Sequence, residues 1–201
     1  MRQRSDRLKR AACRGLTLLE LLLALAGTAV VGTAVAAMLA GVTYGTAVDK
    51  DMRTLITRQM ALRARVEAEV RESLLLLDSG SDYMILWSSD ENGDGVPSKA
   101  EIQVIEYDPV MDRVIRYAPA PLITDVGYTL ADDFRTQTNS YKGDATFPSE
   151  RWAEQITSFT LTLDNIDPQS AKLLSFRFGM AGGEVPYTGI GAAAIRNEVA
   201  E

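Results

Sequence analysis

Twelve residues, Asp90 to Glu101, carry oxygen ligands at a spacing that suits a hard divalent cation; they read DENGDGVPSKAE. Asp90, Asn92 and Asp94 offer side-chain oxygens, Val96 its backbone carbonyl, Ser98 a hydroxyl acting directly or through water, and Glu101 two carboxylate oxygens. Gly95 permits the sharp turn between them. Ca²⁺ takes about six to eight oxygens at about 2.3–2.6 Å, and one loop of this spacing can supply them. The plainer alternative is a polar turn in which Asn92-Gly93 and Asp94-Gly95 simply reverse the chain. A second chemically pointed residue is Glu20, the one charge among the 27 residues from Leu16 to Val42. A carboxylate in a segment built for lipid costs about 2.5–3.5 kcal/mol on insertion scales, which makes it a functional candidate by default. The remaining acid pairs, Asp132-Asp133, Glu67 with Glu69, and Asp164 with Asp167, sit in turns or on a helix face, where solvated charge is the rule. The chain has no His, one Cys (Cys13), no phosphate loop and no nucleophile motif, so no catalytic residue is expected and the chain is not expected to be an enzyme.

The cation loop departs from a helix–loop–helix EF-hand. Tyr83–Trp87 before it and the alternating run Ile102–Tyr107 after it read as strands. Pro97 stands where paired EF-hands place a β-branched apolar residue, so pairing with a second such loop is not expected. The reading is a single Ca²⁺ site between two strands, with an affinity on the order of 10⁻⁴–10⁻³ M, as in extracellular modules.

The elements that must carry these residues begin with a basic leader. Residues 1–15 hold six basic residues and one acid, a net +5. Positive charge beside an apolar segment marks its cytoplasmic side. A secretory signal would place a small-residue cut after the apolar stretch, for instance near Ala26-Gly27-Thr28 or Ala34–Ala37; here Gly15 comes before it. Without the leader the chain holds 15 basic and 26 acidic residues, net −11, which argues against nucleic acid as a partner. It would also have no Cys, and so no disulfide framework.

Gly15, apolar Leu16, then Thr17-Leu18-Leu19-Glu20 ahead of a long apolar run resembles the signal of type IV pilins and of type II secretion pseudopilins. The resemblance covers about the first 30 residues; Leu16 replaces the family's usual Phe, and the kinking Pro many pilins carry midway along the segment is missing. It implies cleavage by a prepilin peptidase between Gly15 and Leu16, methylation of the new N-terminus, and a pairing of Glu20 with the N-terminal amine of an adjacent subunit. Other pilin-like subunits, an inner-membrane assembly platform and membrane lipid are then the partners. A single pass through the inner membrane places the C-terminal head outside the cytoplasm.

The expected fold class is α+β: a long N-terminal helix, one half membrane-spanning and one half amphipathic, packed on an antiparallel β-sheet head. Residues 1–15 are the leader, 16–45 the transmembrane helix, 46–80 the amphipathic helix and 81–201 the head with loop 90–101. Leu55, Ile56, Met60, Val66, Val70, Leu74 and Leu77 form the expected buried stripe, with Asp78–Ser81 ending the helix. Tyr83–Trp87, Ile102–Tyr107 and Arg113–Tyr117 predict an antiparallel meander. Residues 122–150 read as loop with one short element of unassigned type. Ile156–Leu163 alternates, with Ile156, Ser158, Thr160 and Thr162 on one side and Phe159, Leu161 and Leu163 toward the core; Lys172–Met180 is a further strand and Ala192–Val199 a last strand or tail. Trp87 at a strand end, Tyr107, Arg116-Tyr117, a late strand entered from a short helix, and Ile195-Arg196-Asn197 resemble the J-type minor pseudopilins or W-type minor pilins. A minor pseudopilin of a secretion pseudopilus is the expected function. The alternatives are a minor pilin with a binding head formed by 122–150, and a signal-anchored exported Ca²⁺ domain.

Overall fold

A computed structural model describes residues 17–121, 126–142, 144–181 and 187–196, with backbone alone for 44–51. The chain divides into two compact units, one up to Asp49 and one from Lys50 onward. Helix α1 (Leu18–Glu72) contributes to both.

In the first unit, Leu18–Thr43 is apolar, 26 residues long and wholly exposed, long and apolar enough to cross a membrane. At about 1.5 Å per residue it measures about 39 Å, more than a hydrocarbon core of about 30 Å. Its hydroxyls are absorbed by the helix itself: Thr28 donates to the Leu25 carbonyl (2.9 Å), Thr33 to Val30 (2.9 Å) and Thr43 to Leu39 (2.8 Å). Such back-bonding leaves few polar groups facing an apolar solvent.

In the second unit the rest of α1 buries Leu55, Leu62, Val66 and Val70, spaced at sevens and fours. Two residues of the expected stripe, Ile56 and Met60, are exposed, and Leu62 takes their place. The helix also stops earlier than expected. The Ser73 hydroxyl donates to the Val70 carbonyl at 2.9 Å, and Leu74 and Leu77 lie beyond the helix. Four consecutive leucines have no helical period, and three of them enter strand β1 (Leu75–Ser79) instead.

β1, β2 (Tyr83–Trp87), β3 (Ile102–Asp108), β4 (Arg113–Tyr117) and β5 (Ser149–Glu154) form an antiparallel sheet in chain order. The meander of β2, β3 and β4 is as expected, with Leu86 opposite Gln103 and Glu106 opposite Ile115. Strand alternation feeds two cores. Leu76, Met84, Leu86, Ile105 and Val114 join the α1 side. Leu75, Leu77, Ile85, Trp87, Ile102 and Val104 point the other way, onto Phe134 and Tyr141 of helix α2 (Phe134–Tyr141) and onto Tyr128 and Phe147. Helix α2 is the short element of the 122–150 region, capped by Asp133, whose carboxylate accepts from the Thr136 amide at 3.0 Å; residues 122–125 and 143 lie outside the described residues.

Gln155, at φ +62°, links β5 to β6 (Ile156–Leu163), which pairs with β7 (Leu173–Met180) and then β8 (Tyr187–Ala194) in a second antiparallel sheet. Strand β6 is thus entered from a strand, where a short helix was expected. The alternation in β6 slips as well: a register shift between Ile156 and Ser158 turns Ile156 into the core, beside Phe159 and Leu161. The coarse α+β expectation holds, with two sheets where one was expected.

Candidate functional site

The two groups of chemically pointed residues lie in different units, and each is described by itself. Gly15 and Leu16, the expected processing site, lie outside the described residues. Thr17 and Glu20 face each other across the first turn of α1. The Glu20 carboxylate accepts from the Thr17 amide and from the Thr17 hydroxyl, both at 3.2 Å, and the Glu20 amide donates to the Thr17 hydroxyl at 3.3 Å. This is a capping box: two otherwise unbonded amides at the helix start are satisfied by side chains three residues apart. A carboxylate at this end also suits the helix dipole. Glu20 forms no ion pair among the described residues.

In the second unit, loop 90–101 spans the gap between β2 and β3, and the Trp87–Ile102 pairing closes its base. Gly93 and Gly95 both adopt φ +70°, a conformation that side-chain-bearing residues rarely take. The Asp90 carboxylate curls over the loop, accepting from the amides of Asp94 (3.2 Å) and Gly95 (3.1 Å). Asn92 Oδ1 accepts from the Asp94 amide at 3.0 Å, and Asp94 Oδ1 from the Val96 amide at 2.8 Å. All three expected side-chain donors of the first half therefore already bend inward on their own backbone.

Glu101 behaves differently. It is 1 % exposed. Its Oε1 accepts from the Glu91 amide at 2.8 Å and, at the limit of a hydrogen bond, from the Asn92 amide at 3.5 Å. Its Oε2 accepts from the indole Nε1 of Trp87 at 3.1 Å and from the Ser98 amide at 3.2 Å. The last residue of the motif is thus folded back onto its beginning. Every one of these donors is neutral. Lys99, the one cation in the motif, turns away to Asp144 (3.8 Å) and the ring of Tyr141 (4.3 Å). The Ser98 hydroxyl is buried and has no hydrogen-bond partner. Among the described residues no three Asp, Glu, His or Cys side chains already converge as a metal site; half of the donors expected here, Asn92, Val96 and Ser98, are of other types.

Sequence reasoning missed two polar networks that frame this region. Gln103, buried, donates to Glu69 of α1 at 2.7 Å and accepts from Arg116 at 2.8 Å, while Arg116 also reaches Glu69 at 3.2 Å. On the opposite face Glu106 holds Arg135 (3.0 Å) and Lys142, and Arg135 lies 3.8 Å over the Tyr83 ring. No sequence signal marks these partners, because they are brought together by strand register. Trp87 was legible only as a strand end; its role as a donor to Glu101 depends on the closure of the loop.

Comparison with protein-family models, with curated proteins and with solved structures finds no match for this chain.

Proposed function

We propose that this chain is a membrane-anchored assembly subunit of a pilin-like filament, a minor pseudopilin of a type II secretion pseudopilus, whose leader is removed between Gly15 and Leu16. The observation that carries the reading is the order Gly15-Leu16-Thr17-Leu18-Leu19-Glu20 opening a 26-residue apolar helix whose sole carboxylate is exposed and meets no cation of its own chain among the described residues. A carboxylate held in lipid calls for a cationic partner. In this reading the partner is the freed N-terminal amine of an adjacent subunit. The head, net acidic, lies outside the cytoplasm, opposite the basic leader.

The capping box makes the reading testable against a plainer one. If Glu20 only caps its own helix, Thr17→Ala and Glu20→Ala each remove one half of the box, together with the hydroxyl–carboxylate bond, and weaken the helix start to a similar extent, by about 0.5–2 kcal/mol. If Glu20 pairs between subunits, the two variants part. We expect both to be inserted and processed, Thr17→Ala to be recovered in cross-linked filaments, and Glu20→Ala to stay unassembled in the membrane. Equal assembly of the two variants contradicts the pairing.

A further inference from the structure

We propose that loop 90–101 binds one Ca²⁺ ion and that Glu101 couples the ion to the strand that carries Trp87. The inference rests on the second unit alone and stands whether or not the chain enters a filament.

The charge distribution is the starting point. Asp90, Glu91, Asp94 and Glu101 place four carboxylates in one twelve-residue loop. Among the described residues none of the four has a Lys or Arg within ion-pair distance. Glu101 is moreover buried, and a buried carboxylate held only by neutral donors lacks the counter-charge that its burial calls for. The nearest cation by sequence, Lys99, is engaged elsewhere.

Acidity alone would not make a site. The independent observation is Ser98, 1 % exposed, whose hydroxyl lacks any partner although its amide contacts the Glu101 carboxylate at 3.2 Å. A buried hydroxyl without a bond is costly, and one carried by the residue whose amide holds the buried carboxylate fits an oxygen reserved for a ligand. Asp90, Asn92 and Asp94 lie on the same loop, the backbone turning at Gly95 as the ligand spacing demands. Carboxylate, amide, carbonyl and hydroxyl oxygens are what a hard cation takes, and the irregular oxygen set of a single loop suits the larger Ca²⁺ better than Mg²⁺, which demands near-octahedral geometry.

Because the carboxylates do not yet converge, binding must reorganise the loop. The carboxylate of Glu101 exchanges its weak bond to the Asn92 amide, and the one to Glu91, for the ion, while Oε2 retains the Trp87 indole. Loading therefore reaches Trp87 at the end of β2 and tightens the base of the loop.

The test is a titration of the full chain in detergent micelles, stripped with chelator, with CaCl₂ and in parallel with MgCl₂. Calorimetry is expected to give one Ca²⁺ per chain with Kd on the order of 10⁻⁴–10⁻³ M, and Mg²⁺ at least about tenfold weaker. In a Trp152→Phe background the emission of Trp87 is expected to shift with the same midpoint. Asp94→Asn, at an exposed position, is expected to weaken Ca²⁺ at least about tenfold, since one of the three ionised ligands, Asp90, Asp94 and Glu101, is lost, while the thermal transition in chelator is unchanged. Ser98→Ala gives a second, opposite signature: a higher melting temperature without Ca²⁺, because the unbonded hydroxyl is gone, and weaker Ca²⁺ binding. No heat and no melting shift up to about 10 mM Ca²⁺, ten times the weakest expected Kd, or equal binding by wild type and Asp94→Asn, overturns the proposal.

Discussion

Glu20 shows how one residue can carry two accounts. Its bonds to Thr17 are those of a capping box, and its place in an apolar helix is that of a charge awaiting a partner. The paired variants above separate the two, because Thr17→Ala leaves the charge in place. A different residue-scale lesson comes from Gly191. Read along the chain, Gly189 and Gly191 look like punctuation near the end. In β8 they instead face two aromatic rings: a Cβ at Gly191 would lie 2.2 Å from Phe176 Cζ, and one at Gly189 2.3 Å from Phe178 Cζ. Phe176 is 2 % exposed and stacked between Phe159 and Phe178, at 6.4 and 6.2 Å, so its ring has nowhere to swing. Gly191→Ala is therefore expected to destabilise the head by about 1–3 kcal/mol in denaturant unfolding, the cost of overpacking a filled core. Gly127→Ala, where a Cβ meets nothing within 4 Å, is the control expected to change little; equal effects at the two positions would contradict this packing.

At the scale of elements, the reading from sequence succeeded where a single period ran unbroken. The apolar segment of α1, the meander and the β7 strand were legible because hydropathy, alternation and turn residues agreed. It failed where two elements meet. Leu74 to Leu77 fit a helix stripe and a strand equally well, and the choice was made by the pairing of Leu75 with Trp87, far along the chain. In β6 strict alternation put Ile156 on the outer side, but a bulge, which no residue type announces, turned it inward. The loop motif was legible in full as a spacing; the burial of Glu101 was not, since it depends on Trp87 and on the closure of β2 against β3. The two stretches of α1 also predict different responses to the same change. Leu62→Ala, at a buried position, is expected to lower head stability by about 2–5 kcal/mol. Leu22→Ala, exposed within the apolar segment, is expected to leave head unfolding unchanged. Urea unfolding followed by near-ultraviolet circular dichroism in micelles checks both, and an effect of Leu22→Ala on the head as large as that of Leu62→Ala would contradict the division.

For the whole molecule the governing facts are an apolar N-terminal segment long enough to cross a membrane and an acidic remainder. Several carboxylates of the head are held below their usual range: Glu67 by its hydrogen bond to Arg63, Asp133 by the Thr136 hydroxyl and amide, Asp144 by the Thr146 amide, and Asp164 by the Leu173 amide. Each is more readily ionised folded than unfolded, so each contributes stability that is complete above the ordinary carboxylate range and lost as pH falls through the lowered values. The melting temperature in chelator is expected to be level from neutral pH down to about pH 5 and to fall below about pH 4; a maximum on the acid side would contradict the assignment.

The central claim, that the chain is processed and kept as a pilin-like subunit, is tested most directly at its N-terminus. The measurement is the intact mass and N-terminal sequence of the membrane-extracted protein, with and without a co-expressed prepilin peptidase. The account predicts a methylated N-terminus at Leu16, present only with the peptidase. An uncut chain, or a cut between residues 26 and 40, would contradict it.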